Sequence, residues 1–340
     1  MEYFLDFLDH YLYWHIEALS SVLNSLNNLI KKPPQWFQST EAKHKLSNIL
    51  SFQDVNGIWP KNINTTDYRY DGLKSELQGT FDNSASLNEL RILAKAYNAT
   101  KNNAYKKAFN KGLQCILKCQ YPNGGWPQRP NAKGYSEHIT FNDGTMIGIM
   151  TFLGEVHKNN DYKFATEKYR RICKERFDLG VQCIIKCQIR INGKLTAWCA
   201  QHHKEDLRPM GARSYEHPSI SGGESADVVC LLMTIKNPDQ RIRKSIKSAV
   251  DWYSNSIITD SSYRKVNGDN VLVKEKTINP IWARFYEIET NKPIFSGRDG
   301  KIKYSVSEIE FERRNGYAWY VSSGKKVLNS WKKWKITKSG

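Results

Sequence analysis

QYPNGGWPQRPNAKGYSEHITFND, residues 120–143, reads as the end of one helix, an ordered loop and the approach to the next helix. Asn123-Gly124-Gly125 is a turn signal, because Asn and Gly accept backbone conformations that other residues avoid. Trp126 then puts a large ring on the return loop. Asp143 stands just before the apolar run of residues 146–152, where a helix is expected to begin. A carboxylate there is stabilised by the helix dipole and by free backbone N–H groups, so capping alone accounts for its position.

The pattern recurs, and the recurrence organises the chain. Asn48-Ile49-Leu50-Ser51-Phe52-Gln53 leads into Asn56-Gly57-Ile58-Trp59-Pro60. Cys115-Ile116-Leu117-Lys118-Cys119-Gln120 leads into Asn123-Gly124-Gly125-Trp126-Pro127, and Cys183-Ile184-Ile185-Lys186-Cys187-Gln188 into Asn192-Gly193 and Trp198. The glutamines are 67 and 68 residues apart. Arg314-Asn315-Gly316-Tyr317-Ala318-Trp319 is a weaker fourth echo. Between these marks, apolar periodicity predicts helices over residues 87–98, 104–118, 145–156, 162–186, 226–235 and 240–253. One helical hairpin plus a long loop fills each period. Stacked around an axis, such hairpins give an all-α toroid, a partial α/α barrel, with function in the loops gathered at one end. A plain helical solenoid suits these long, Trp-bearing loops less well. Residues 61–78 read as a surface excursion, and residues 258–271, with Asn267-Gly268, as a short hairpin. Residues 1–40 read as an N-terminal helical extension broken at Pro33-Pro34, residues 41–325 as the toroid domain that holds the repeats, and residues 326–340 as a basic tail.

The 340 residues are 40% hydrophobic, enough for a substantial core in one domain or two. The net charge of +17 favours a polyanionic partner: nucleic acid, anionic lipid or acidic polysaccharide. Nucleic acid is set aside, since there is no paired zinc-ligand spacing, no RNP-type strand and no run of five basic residues. No apolar run reaches a membrane span. The N-terminus lacks the basic start and small-residue cleavage site of a secretion signal. Seven cysteines include Cys115/Cys119 and Cys183/Cys187 at helical spacing, which suits buried apolar positions; no His accompanies them at zinc spacing.

Four clusters stand out, the fourth joining the segments around Arg284 and Arg298. Thr80-Phe81-Asp82-Asn83 and Thr140-Phe141-Asn142-Asp143 echo each other at two helix starts. An Asp and an Asn side by side at both is more oxygen than capping needs, and Ca²⁺ takes six to eight oxygens. Arg213-Ser214-Tyr215-Glu216, Arg284-Phe285-Tyr286-Glu287 and Arg298-Asp299 bring fork-shaped donors suited to carboxylates. Salt bridges of Arg213 with Glu216, Arg284 with Glu287 and Arg298 with Asp299 are the plainer reading of each.

Together these residues resemble the pectate lyases of polysaccharide lyase family 10. The likeness rests on Thr80-Phe81-Asp82-Asn83, Tyr121-Pro122-Asn123-Gly124-Gly125-Trp126-Pro127-Gln128, His138-Ile139-Thr140-Phe141-Asn142-Asp143-Gly144, Thr196-Ala197-Trp198-Cys199, residues 212–225 and residues 291–300, in that order. It implies an (α/α)₃ toroid with minor short strands and a Ca²⁺-dependent β-elimination on polygalacturonate with an arginine base. Arg213 matches the base. Asp82, Asn83 and Asp143 match metal ligands. Arg284, Arg298 and Lys292 would bind uronate carboxylates, with His138 also at the substrate and Trp126 stacking on a sugar ring or packing in the core. Lys292 stands where family members carry Arg, which keeps the charge and loses the fork; Ser84 stands where Gly is common. The expected protein is a monomer, secreted or periplasmic as its substrate requires. Two competing readings are a toroid glycoside hydrolase using Asp143 with Glu224, and a non-catalytic binder of an acidic glycan.

Overall fold

The computed structural model describes residues 25–338. The helix expected at the N-terminus lies largely outside them. Within them, residues 25–30 are helical and Pro34–Gln38 forms a 3₁₀ turn. About 47% of the chain is helical and the strands are short, so the chain is all-α, as expected.

The helices are α1 (Thr40–Ser51), α2 (Leu87–Thr100), α3 (Asn103–Lys118), α4 (Thr145–Lys158), α5 (Glu167–Cys187), α6 (Glu224–Met233), α7 (Gln240–Asn255), α8 (Phe311–Asn315) and α9 (Ser323–Lys338). Short polar residues start several of them by accepting an otherwise unpaired N–H. The Ala42 N–H donates to Ser39 Oγ at 3.1 Å, Ala104 N–H to Asn102 Oδ1 at 2.9 Å, and Ile242 N–H to Asp239 Oδ1 at 2.9 Å. The helix expected from residue 162 starts at Glu167 instead. Asn160–Tyr162 makes its own 3₁₀ turn, and the Tyr162 ring packs against Phe109 and Phe152. The expected hairpin is present as β1 (Ser261–Val266) and β2 (Asp269–Lys274), antiparallel. Asn267 and Gly268 both have positive φ at its turn, which matches the twist of the two strands.

The repeat is physical. Each helix-end glutamine reaches the next helix of its series. Gln53 Nε2 donates to Gly57 O at 2.9 Å and to Ala108 O on α3 at 2.8 Å. Gln120 Nε2 donates to Arg176 O on α5 at 2.9 Å. Gln188 Nε2 donates to Thr196 O at 2.8 Å and to Ser245 O on α7 at 3.0 Å. The loop tryptophans then hook back onto the helix just ended. Trp59 Nε1 donates to Ile49 O and Trp198 Nε1 to Ile184 O, both at 2.7 Å. A serine at the start of the following helix holds each Trp backbone: Ser86 Oγ accepts from Trp59 N–H and Ser225 Oγ from Trp198 N–H, both at 2.9 Å.

The fourth member of this series is Trp282, whose Nε1 donates to Tyr253 O on α7 at 2.8 Å. The weak echo at Trp319 hooks in the same way, its Nε1 donating to Arg313 O on α8 at 2.9 Å. The β1–β2 hairpin lies between α7 and its Trp, stretching the separation to 29 residues from the 10 and 14 of the first and third hooks. All of these tryptophans are fully buried. Each removes roughly 200 Å² from water, on the order of 5 kcal/mol, so burial supplies the energy and the indole bond the orientation.

The chain forms two compact units. The first comprises residues up to Gln120 with Gln128–Asn131 and Gly148–Asp178; the second comprises Tyr121–Pro127, Ala132–Ile147 and residues from Leu179 onward. In the first, α2 packs on α3 and on the Pro34–Gln38 turn, and Phe109 meets Phe152, Tyr162 and Phe164. In the second, the basic stretch read as a tail forms α9, which packs on α6 and α7; Lys326 Nζ lies 2.7 Å from Asp227 Oδ1. A further core there joins Tyr215, Phe285, Ile294, Phe295 and Trp319. Cys115 and Cys119 keep their sulfurs 4.0 Å apart, and Cys183 and Cys187 3.9 Å apart, as free thiols.

Gln188→Met keeps the shape and strips two buried carbonyls of a donor, so it should cost about 2–4 kcal/mol by urea denaturation. Glu89, on the first turn of α2, is completely buried; Thr65 Oγ1 donates to Oε1 at 3.1 Å, and Oε2 has no partner among the described residues. Burial raises its pKa from 4.5 to about 7. Between those values the folded chain holds a proton that the unfolded chain has lost. This contribution is full below pH 4.5 and is lost as pH rises to about 7. The wild type should therefore lose roughly 3 kcal/mol over that range relative to Glu89→Gln, read from denaturation at each pH.

Candidate active site

The two Thr-Phe motifs fold alike. Phe81 N–H donates to Gln128 O at 3.0 Å, and Phe141 N–H to Ala200 O at 2.9 Å. Each is followed by a tight 3₁₀ turn, Asp82–Ser84 and Asn142–Gly144, whose second residue is left-handed: Asn83 at φ 52° and Asp143 at φ 50°. Asn and Asp tolerate that conformation better than most residues. Asp82 thus corresponds to Asn142, and Asn83 to Asp143.

In the first unit, Asp82 is completely buried. Its Oδ2 accepts from Gln128 Nε2 at 2.7 Å and pairs with Lys61 Nζ. Its Oδ1 is buried with no hydrogen-bond partner among the described residues. Neither Lys61 nor Gln128 was singled out for this role in sequence. A signal existed: each stands two residues after its repeat Trp, in Trp59-Pro60-Lys61 and Trp126-Pro127-Gln128.

In the second unit, Asp143 is exposed and Asn142 Nδ2 donates to its Oδ2 at 2.7 Å. Arg284 Nη2 donates to Asn142 Oδ1 at 3.3 Å and to Glu224 Oε1 at 2.7 Å. Strand pairing places this arginine: Phe285 is opposite Ser221, and Gly222 N–H donates to Arg284 O at 2.8 Å. A Cβ on Gly222 would stand 2.2 Å from Ala283 O, so only glycine fits there. Ser221 Oγ also donates to Glu224 Oε2. The Arg284 guanidinium lies 4.7 Å from the Tyr317 ring centroid. Burial favours its neutral form, but Glu224 and its other anionic neighbours outweigh this, and its pKa is raised.

Arg213 is clamped by Glu216. Its Nε donates to Oε2 at 2.8 Å, its Nη2 to Oε1 at 2.6 Å and its backbone N–H to Oε2 at 3.1 Å. Those bonds raise its pKa above the usual arginine value. The guanidinium also lies 5.1 Å from the Tyr215 ring and 5.8 Å from the Tyr317 ring. Tyr317 is therefore shared by Arg213 and Arg284. Arg298 pairs with Glu312 at 2.9 Å, as does the buried Arg313 at 2.6 Å. Arg313 covers Tyr215 at 4.7 Å. Arg313 and Arg298 push the Glu312 pKa down to about 2 against a smaller desolvation effect.

Of the three expected salt bridges, only Arg213 with Glu216 forms. Arg284 takes Glu224 and Arg298 takes Glu312, while Asp299 pairs with Lys303. Lys292 is exposed and lies over Tyr304 at 6.0 Å. His138 is 9% exposed; burial lowers its pKa, and Nδ1 has no partner among the described residues. Trp126 is 0% exposed, so stacking on a sugar is corrected to core packing. The hydrolase pairing of Asp143 with Glu224 also fails, because Arg284 and Ser221 hold the Glu224 carboxylate.

Among the described residues, no group of three or more His, Cys, Asp or Glu is arranged to hold a metal. The donor set at Asp82 and Asn83 is nonetheless of the hard-oxygen kind, and the orphaned, buried Asp82 Oδ1 is an atom a hard cation would satisfy. Replacing one ion-pair member should separate the two kinds of arginine. Arg284→Met strands a buried carboxylate and should cost about 3–5 kcal/mol. Arg298→Met breaks an exposed pair and should cost less than about 1 kcal/mol. Urea denaturation of both variants checks this.

The pectic acid lyase family model matches residues 53–328. Two solved structures of family 10 polysaccharide lyase from Cellvibrio cellulosa are similar. One superimposes with TM-score 0.81 at 32% identity, covering 92% of this chain and 95% of that one. The other, an Asp-to-Ala variant in complex with trigalacturonic acid, gives TM-score 0.80 at 32% identity, covering 92% and 96%. A comparison with curated proteins finds no match. With a family match over most of its length and the same fold as these lyases, the chain belongs to the pectic acid lyase family and is a pectate lyase of polysaccharide lyase family 10.

Proposed function

We propose that this pectate lyase cleaves α-1,4-linked polygalacturonate by Ca²⁺-assisted β-elimination, with Arg213 as base and 4,5-unsaturated oligogalacturonides as products. The observation that carries the reading is the second unit's arginine cluster around Tyr215 and Tyr317, where fork-shaped cations suit uronate carboxylates. The net charge of +17 is complementary to a polyanion. The proposed calcium ligands are Asp82 and Asn83 in the first unit and Asp143 in the second, and calcium, when bound, would draw charge from the uronate carboxylate and make the C5 proton more acidic.

The protein's own groups do the rest. Arg284, Arg298 and Lys292 bind carboxylates along the chain, and His138 contributes as a neutral ring. Arg213, in its neutral form, takes the C5 proton. The C5–H electrons form the C4–C5 double bond, the C4–O bond breaks, and the departing oxygen is protonated from solvent. A neutral arginine is favoured only at high pH, so activity should rise into the alkaline range. Action on this polymer places the enzyme outside the cytoplasm, secreted or periplasmic.

The test is incubation with polygalacturonate at about pH 9, chosen for an arginine base, following ultraviolet absorbance of the unsaturated product with Ca²⁺ or chelator. The expected result is a Ca²⁺-dependent rise. It should fall by about 10²–10⁴-fold in Arg213→Ala, whereas Arg298→Ala weakens substrate binding. A flat trace with Ca²⁺ present would remove polygalacturonate as substrate; binding without turnover would mark a non-catalytic binder. Swapped effects of the two substitutions would move the base to Arg298.

A further inference from the structure

The Arg213 clamp has a direction. Glu216 engages one edge of the guanidinium, Nε and Nη2, and leaves Nη1 with no hydrogen-bond partner among the described residues. Glu216 is itself fixed. Its N–H donates to Arg213 O at 2.8 Å, its carbonyl accepts from Ala212 N–H at 3.0 Å, and Tyr317 Oη donates to its Oε1 at 2.7 Å. The carboxylate is 8% exposed as a residue, while the Arg213 side chain is 47% exposed. A buried acceptor therefore holds a guanidinium whose other edge reaches solvent.

Deprotonation of an arginine can occur at any of its three nitrogens. Loss of a proton from Nε, or from the Nη2 edge, would weaken a bond to Glu216. Loss from Nη1 leaves both bonds intact, because Nε and Nη2 each keep a hydrogen. We propose that Glu216, braced by Tyr317, is the positioning residue that locks Arg213 by its Nε/Nη2 edge and makes Nη1 the nitrogen that takes the C5 proton. This rests on the reading of Arg213 as base. In the step, Nη1 enters as a neutral imine with a lone pair, accepts the C5 proton and becomes part of a guanidinium. It later returns that proton to solvent.

The clamp has an electrostatic consequence. The groups facing Arg213 are Glu216, Tyr215 and Tyr317, with Arg284 across the Tyr317 ring. Glu216 favours the charged form of Arg213, so it gains geometry at the expense of the neutral fraction. Removing its charge should lower the pH at which the base becomes neutral while loosening its aim.

Glu216→Gln and Tyr317→Phe test this with polygalacturonate and Ca²⁺, alongside Arg213→Ala. Glu216→Gln offers one acceptor instead of two. Its kcat should fall about 10–100-fold with KM changed less than about threefold, and kcat/KM should level off at lower pH than in wild type. Tyr317→Phe, which leaves the clamp charged but unbraced, should lose about 3–10-fold in kcat with the pH profile unmoved. Circular dichroism confirms folding; if Glu216→Gln fails to fold, the Tyr317→Phe split between kcat and KM decides. Wild-type kcat in either folded variant, or a loss confined to KM, overturns the proposal. If Arg213→Ala keeps full activity, the base assignment itself has failed. An inactive Arg213→Ala with a wild-type pH profile in Glu216→Gln removes only the role of Glu216.

Discussion

A carbonyl left unpaired inside a protein costs more than a paired one returns, and this structure depends on meeting that constraint where its buried loops pack on its helices. Gln53, Gln120 and Gln188, each just beyond the end of one helix, donate to a carbonyl within the next helix of the series, so one amide ties two elements together. The tryptophan hooks at Trp59, Trp198 and Trp282 pair carbonyls in the last turn of the preceding helix. Long loops of this kind carry many polar groups, and these side chains are what let them pass through the interior.

The same constraint shapes the chemistry. Arginines at the second unit's site are not free cations awaiting an anion. Each is already matched with a carboxylate, Arg213 with Glu216, Arg284 with Glu224 and Arg298 with Glu312. The pairs differ in depth. The Arg284 side chain is 15% exposed and its partner 9%, so this pair has a structural as well as a binding role. The Arg298 side chain is 65% exposed and can exchange its partner at little cost. Tyrosine faces at Tyr215 and Tyr317 hold the cations near one another, which a sheet of carboxylates alone would not do.

Asp82 shows the opposite arrangement. Its carboxylate is wholly buried, with a lysine and a glutamine on one oxygen and no partner among the described residues on the other. Lys61 and Gln128 come from the same place in two repeats, so duplication of one loop has supplied two different donors to one acid. The corresponding site in the second motif carries Asn142 instead of an acid, with the charge moved one residue on to the exposed Asp143. Two copies of one turn thus present one sheltered and one solvent-facing carboxylate.

Helices, the hairpin at Asn267-Gly268 and the 67-residue repeat were legible in the sequence because they follow from periodicity and turn chemistry acting over a few residues. Six motifs in order were also enough to indicate the family. What the sequence left open was decided by tertiary packing. Trp126 looked equally suited to a sugar or to the core, and its burial settled the matter. Trp282 makes a hook that the sequence pattern did not mark, because an inserted hairpin displaced it from the repeat spacing. Arg284 met Glu224, 60 residues away, and Asn142, 142 residues away, in place of the nearby Glu287. Local rules set the backbone, but ion pairing and burial depend on which distant side chains the folded chain brings within a few ångströms, and no local pattern encodes that.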